Sequence, residues 1–250
     1  MTSYNPFGIE GKRILITGAS SGIGRATAEE CAKCGAQLVL TARNEERLKA
    51  TLDSLEGAGH TAIIADLTIQ EDLVSLVGQL DSAMDGVVLC AGINDKSLIK
   101  FLNQEHVDKM LATNFTSPVY LSQMLTKKKK LAKESSIVFI SSISAFYPSV
   151  SNAMYASSKA ALTQFAKVLA LELMPQKIRV NCIEPAFVET GMLNKYEISD
   201  KMDEIRANAP FGRFLEPKEV AQAAIYLLSD ATKLVTGSNL VMDGGFLIKR

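Results

Sequence analysis

Tyr155 and Lys159 stand four residues apart in Tyr155-Ala156-Ser157-Ser158-Lys159, a stretch that reads as helix, so a phenol and an ammonium project from one face. A free tyrosine holds its proton until about pH 10, and a nearby cation favours the phenolate, bringing the group towards useful proton transfer. Such a pair is also common on solvated helix faces, so its meaning depends on what surrounds it. Arg13-Ile14-Leu15-Ile16-Thr17 is a short apolar run, followed at once by Gly18-Ala19-Ser20-Ser21-Gly22-Ile23-Gly24 and a helical pattern from Ile23. A strand, a glycine-rich turn and a helix in that order form an anion site, because backbone N–H groups and the helix dipole face whatever phosphate lies over the turn. Gly22 and Gly24 let pyrophosphate and helix approach closely. The spacing is not that of a P-loop, since Arg25 stands where Lys-Ser or Lys-Thr is needed, so ATP or GTP hydrolysis is not expected. Ser135 to Ile140 then reads as a buried strand that delivers Ser141-Ser142-Ile143-Ser144 at its carboxyl end, the edge where open parallel sheets place ligands. One loop and one helical turn separate Ser142 from Tyr155, enough to bring hydroxyl and phenol together.

The elements that must position these groups follow from periodicity. Strand patterns fall at 13–17, 37–41, 61–65, 86–90, 137–141, 179–183 and 239–242, with helical patterns between them. Alternating strands and helices imply a single α/β domain over 1–250: a doubly wound sheet of about seven parallel strands, covered on both faces. The stretch 189–210 interrupts this regularity at the carboxyl edge and suggests a lid.

With 250 residues, 47% of them hydrophobic, the chain can bury one substantial core. Its formal charge is zero, so no global field recruits nucleic acid or an anionic membrane. No apolar stretch approaches the roughly 18 residues of a spanning helix, and a cytoplasmic location is expected. Cys31-Ala32-Lys33-Cys34 lies near the end of a helix and has no second C-x-x-C partner, and only His60 and His106 are available as imidazole ligands. Apolar packing, rather than a redox pair or a metal site, is therefore expected of the cysteines. Two histidines away from any nucleophile motif also speak against a serine hydrolase. Lys127 to Lys130 with Lys133 form one dense cationic run, read either as a solvated helix end or as a docking surface for an acidic carrier protein.

Taken together, the chain resembles the short-chain dehydrogenase/reductase family over nearly its whole length. The resemblance rests on Thr17-Gly18-x-x-x-Gly22-x-Gly24, Asp66-Leu67, Cys90-Ala91-Gly92, Asn114, Ser142, Tyr155-x-x-x-Lys159 and Pro185, all in family order. It implies a Rossmann-like fold and hydride transfer between a nicotinamide dinucleotide and a ketone or secondary alcohol. By resemblance Tyr155 is the general acid and base, Ser142 polarises the substrate oxygen, and Lys159 binds the nicotinamide ribose and lowers the Tyr155 pKa. Asn114 would kink its helix and hold a water that relays protons to Lys159. Ser141 and Ser144 are neighbouring alternatives to Ser142.

The cofactor would be held by Gly18, Ser20, Ser21, Gly22, Ile23 and Gly24, with Asp66 and Leu67 at the adenine and Cys90, Ala91 and Gly92 beneath the adenosine ribose. Pro185, Val188 and Thr190 complete the set, with Thr190 at the carboxamide. In family register Ala42 occupies the acidic position of NAD enzymes and Arg43 follows, so NADP(H) is expected over NAD(H). Two departures are Cys90 in place of the usual asparagine and Ala186 in place of the usual glycine.

Candidates for the substrate pocket are Asn94, Ser144, Phe146, Tyr147, Phe187, Met192, Leu193 and Tyr196. A 3-oxoacyl group on acyl carrier protein, a small or sugar-like ketone, or the matching alcohol all remain open, as does a catalytically silent NADP-binding sensor or scaffold. The resemblance also implies a homotetramer or homodimer paired through helices at 104–125 and 152–174, with contacts near the apolar tail at 243–248.

Overall fold

The computed structural model describes residues 4–194 and 200–249. Strands β1 (Arg13–Thr17), β2 (Gln37–Ala42), β3 (Thr61–Ile64), β4 (Met84–Leu89), β5 (Leu131–Ile140), β6 (Arg179–Pro185) and β7 (Asn239–Met242) form one sheet. It runs β3-β2-β1-β4-β5-β6-β7 with every pairing parallel. The winding reverses between β1 and β4, and a crevice opens at the carboxyl ends of the strands there.

The helices are α1 (Gly22–Lys33), α2 (Glu45–Asp53), α3 (Gln70–Gln79), α4 (Gln104–Leu111), α5 (Ser117–Lys127), α6 (Ala153–Leu173), α7 (Gly191–Asn194), α8 (Asp200–Ala207) and α9 (Pro217–Leu228). They cover both faces, which is why the central strands are almost continuously apolar. Alternate side chains sort into two cores. Leu15, Val87, Phe139 and Val180 pack with Leu76 of α3, Leu121 of α5 and Leu162 and Leu169 of α6. Ile14, Ile16, Leu38, Val138 and Ile183 pack on the other face with Ala28 and Cys31 of α1 and Val220 and Ala224 of α9. Each such buried aliphatic or aromatic side chain contributes about 1.5–3 kcal/mol.

Local signals set several boundaries. Asn44 caps α2 by accepting from Arg47 N–H, and Asn103 caps α4 by accepting from His106 N–H. The expected helix over 104–125 is not continuous: α4 and α5 are joined by a π-helical turn, Ala112–Thr116. The strand expected at 137–141 begins earlier, at Leu131, and its register against β4 shifts between Met84 and Gly86. Glu134 takes a left-handed φ of 66° inside that irregular stretch. The interrupting segment after β6 contains α7 and α8, while 195–199, with Tyr196, lies outside the described residues. No helix among the described residues is long and apolar enough to cross a membrane.

Candidate active site

The turn from β1 into α1 depends on missing side chains. Gly18 and Gly22 adopt φ of 65° and 53°. A Cβ on Gly24 would collide with the Gly18 carbonyl, and one on Gly18 would lie 3.0 Å from the Ala91 backbone. Thr17 Oγ1 accepts from the N–H groups of Cys90 (3.1 Å) and Ala91 (3.2 Å), tying the β4 loop to this turn. Helix α1 starts after Ser21 without a side-chain cap and without an acidic residue in its first turn. Its leading N–H groups therefore suit an anion held over Ser20, Ser21 and Ile23. Across the turn, a Cβ on Gly22 would come 3.4 Å from Thr190 Cγ2, so Thr190 borders the same cradle.

Further along the edge, buried Ala42 ends β2 and exposed Arg43 follows it. The Arg43 guanidinium reaches Asp66 at 3.5 Å. Burial alone would raise Asp66, yet the hydroxyl and amide of Thr68, with Arg43, hold its carboxyl below the usual range. Asp66 and Leu67 follow β3, as the sequence order requires.

Lys159 is the centre of the arrangement. It is 4% exposed, donates from Nζ to the Ile140 carbonyl at 2.8 Å, and lies 5.7 Å from the centroid of the half-buried Tyr155 ring. Burial drives the Lys159 ammonium down to about 8, against a smaller upward pull from Cys90 and Cys182. Both thiols are themselves pushed up to about 12 by burial. Gly92 makes room for this group, since a Cβ there would sit 3.5 Å from Lys159 Nζ and 3.4 Å from Asn114 Oδ1. Fully buried Asn114 lies in the π-helical turn. It accepts from Ile93 N–H (2.8 Å) and donates to the Ile93 carbonyl (2.9 Å).

The three serines after β5 separate by direction. Ser142 Oγ accepts from Ser144 N–H at 3.1 Å and reaches the Pro185 carbonyl at 3.5 Å, so it stands between β5 and β6 at the crevice. Ser141 turns behind α6, contacting Thr163 Oγ1 at 2.9 Å and the Lys159 carbonyl at 3.2 Å. Ser144 Oγ lies 3.5 Å from Asn152 Nδ2. A hydroxyl, a phenol and a buried ammonium on one edge can polarise an oxygen and exchange a proton with it.

The candidate pocket residues sit at different depths along the outer wall. Phe146 and Tyr147 are each 52% exposed, and Met192 is also exposed, whereas Leu193, Asn94 and Phe187 are half-buried. Phe187 stacks on Phe214 at 5.0 Å and meets Phe246 edge-on at 5.7 Å, while Tyr147 meets Phe246 at 6.3 Å. The tail residue Phe246 thus packs within its own subunit, although Ile248 beside it is 83% exposed. An apolar cavity of about 180 Å³ opens here among Phe187, Phe211, Phe214 and Phe246. Arg206 of α8 pairs with Glu189 at 3.2 Å and lies over the Phe214 ring, fastening the end of α8 to the wall. The sequence pattern did not single out Phe214, Asn152 or Glu184 for the site, and it placed Phe246 only in an apolar tail at 243–248. Of these, Glu184 carried a signal, an acid placed between the apolar pair Cys182-Ile183 and Pro185.

Comparison with known proteins agrees with this geometry. The family described as enoyl-(acyl carrier protein) reductase matches residues 18–247. An L-xylulose reductase from Caenorhabditis elegans is 36% identical, covering 94% of this chain and 95% of that one. A 3-oxoacyl-(acyl-carrier-protein) reductase from Thermotoga maritima is 33% identical, over 96% and 99% of the two chains. A crystal structure of a short-chain type dehydrogenase/reductase from Mycobacterium marinum superposes with a TM-score of 0.88, at 30% identity over 98% of each chain.

Proposed function

The chain belongs to the short-chain dehydrogenase/reductase family of oxidoreductases, and from that premise we propose that it is an NADP(H)-dependent enzyme interconverting a ketone and a secondary alcohol. The observation that carries this reading is the buried Lys159 ammonium beside Tyr155, on the edge where Ser142 closes the crevice. When bound, the nicotinamide supplies or takes up the hydride. Tyr155 gives a proton to the carbonyl oxygen, or removes it from the alcohol. Ser142 Oγ donates to the same oxygen and fixes its direction. The Lys159 charge makes the phenolate of Tyr155 accessible, and its N–H groups would hold the ribose hydroxyls of the bound dinucleotide. Asn114 keeps the Ile93 loop under Lys159, and the remaining lone pair of its Oδ1 offers a place for a relay water.

NADP(H) preference rests on Ala42 and Arg43. No carboxylate competes at the end of β2, and an exposed guanidinium with one loose partner can turn to a 2′-phosphate. The glycine turn, Asp66, Leu67, Cys90 to Gly92, Pro185, Val188 and Thr190 would hold the remainder. The segment at 189–210, fastened by the Arg206–Glu189 pair, is proposed as the lid.

A 3-oxoacyl group on acyl carrier protein is the specific alternative, supported by similarity to the Thermotoga enzyme. The lysine run does not add to it. Lys127 ends α5 and Lys130 donates to the Leu80 carbonyl, at the amino edge of the sheet and opposite Ser142. Exposed Tyr120 on α5 and Val168 and Leu171 on α6 support pairing with further copies into a homodimer or homotetramer. The test is consumption of NADPH by the purified protein with 3-oxoacyl thioesters, cyclic ketones and keto sugars. Turnover supports the reductase and selects its substrate class. Tight NADPH binding with silence across the series supports either a substrate outside the series or the sensor or scaffold.

A further inference from the structure

Behind the Tyr155–Lys159 turn, a row of oxygens crosses from β6 to α6 and back to β5. Glu184 Oε1 lies 3.1 Å from Thr163 Oγ1, Thr163 Oγ1 lies 2.9 Å from Ser141 Oγ, and Ser141 Oγ lies 3.2 Å from the Lys159 carbonyl. All of these residues are buried, Glu184 to 1% exposure. Three contacts need three protons. Thr163 and Ser141 supply one each, the Lys159 carbonyl only accepts, and an ionised carboxylate only accepts. With Glu184 ionised, one contact would face lone pair against lone pair in a buried site. The thiol of Cys182, which also touches Thr163, makes a fourth contact and does not relieve the deficit.

We propose that Glu184 is carried as the neutral acid and acts as a positioning residue: it donates to Thr163, Thr163 to Ser141, and Ser141 to the Lys159 carbonyl. Lys159 is then held to β5 at both ends, by Ser141 on its backbone and by Ile140 on its ammonium. The spacing of Tyr155 and Lys159 from Ser142 follows from that seating. The groups facing Glu184 are few. Lys167, one turn beyond Thr163 on α6, opposes protonation, Cys182 on β6 is a neutral thiol, and β7 presents Val241 in register. Burial outweighs the Thr163 bond and the Lys167 charge and raises the Glu184 carboxyl above its ordinary value.

The positioning claim rests on the reductase reading, whereas the protonation claim does not. Carbon-13 NMR of the side-chain carboxyls, assigned by difference with Glu184→Gln, is expected to show a neutral acid at pH 7. A carboxylate signal at pH 6 overturns the proposal. Glu184→Leu, which donates nothing, is expected to lower kcat about tenfold with KM little changed, and Glu184→Gln, which donates without ionising, to rescue it. An unchanged kcat in Glu184→Leu, or no rescue by Glu184→Gln, overturns the positioning role. If the wild type turns over no ketone, the reductase reading fails, and the positioning role is then read from the titration of Lys159 Nζ. That titration is expected to move in Glu184→Leu but not in Glu184→Gln, and a common value in all three proteins overturns it.

Discussion

Lys159 shows how one residue trades stability for chemistry. Its folded value, about 8, lies below that of the unfolded chain, so the unfolded chain binds the proton more tightly between about pH 8 and the ordinary lysine range. The burial penalty is therefore complete below pH 8 and fades as pH rises. A gap of that size corresponds to about 3 kcal/mol. Denaturation midpoints of the wild type should rise relative to Lys159→Met between pH 7 and pH 10. A constant difference across that range would count against a buried cation. Arg43 makes a second residue-scale prediction. Arg43→Ala should raise KM for NADPH about tenfold or more and leave KM for NADH nearly unchanged, as expected from losing one charged contact to phosphate. A wild type that prefers NADH would refute the cofactor assignment.

At the scale of elements, the π-helical turn between α4 and α5 is where local structure departs from pattern. Helix-forming residues flank Asn114 on both sides and no glycine marks the break, so the stretch reads as one helix, although Pro118 in the first turn of α5 is a boundary signal. The cause is tertiary: Asn114 turns inward to satisfy both backbone groups of Ile93. Asn114→Ala would leave those groups without this partner, at about 1–3 kcal/mol for each one left unsatisfied. Calorimetry should show a fall in Tm of about 4–8 °C for every 2 kcal/mol lost in a chain of this size. No change would mean that the loop is held by other contacts. The early start of β5 was equally hidden, because residues 131–135 alternate poorly and rely on the left-handed turn at Glu134. By contrast, β1 and β6 start where the sequence pattern places them, since buried parallel strands leave little freedom in composition.

At the scale of the whole molecule, the doubly wound parallel sheet and its ligand edge were legible because the glycine turn and the serines directly follow β1 and β5, and Tyr-x-x-x-Lys opens the helix after the serines. Of the aromatic wall only Phe187 and Tyr147 were legible as pocket candidates. Phe187, Phe214 and Phe246 come from distant segments that only the finished fold brings together. The proposed subunit pairing is similarly a matter of surface shape, and exposed Tyr120, Val168 and Leu171 would supply its apolar contacts. Light scattering at micromolar concentration should give a dimer or tetramer, and a monomer alone would contradict that reading. The central claim is that Tyr155 moves the proton. Single-turnover and steady-state NADPH oxidation should be compared between wild type and Tyr155→Phe, with NADPH affinity measured in parallel. The account predicts a loss in kcat of about 10²–10⁴-fold with NADPH affinity retained; a Tyr155→Phe protein that turns over the same ketone at the wild-type rate would contradict it.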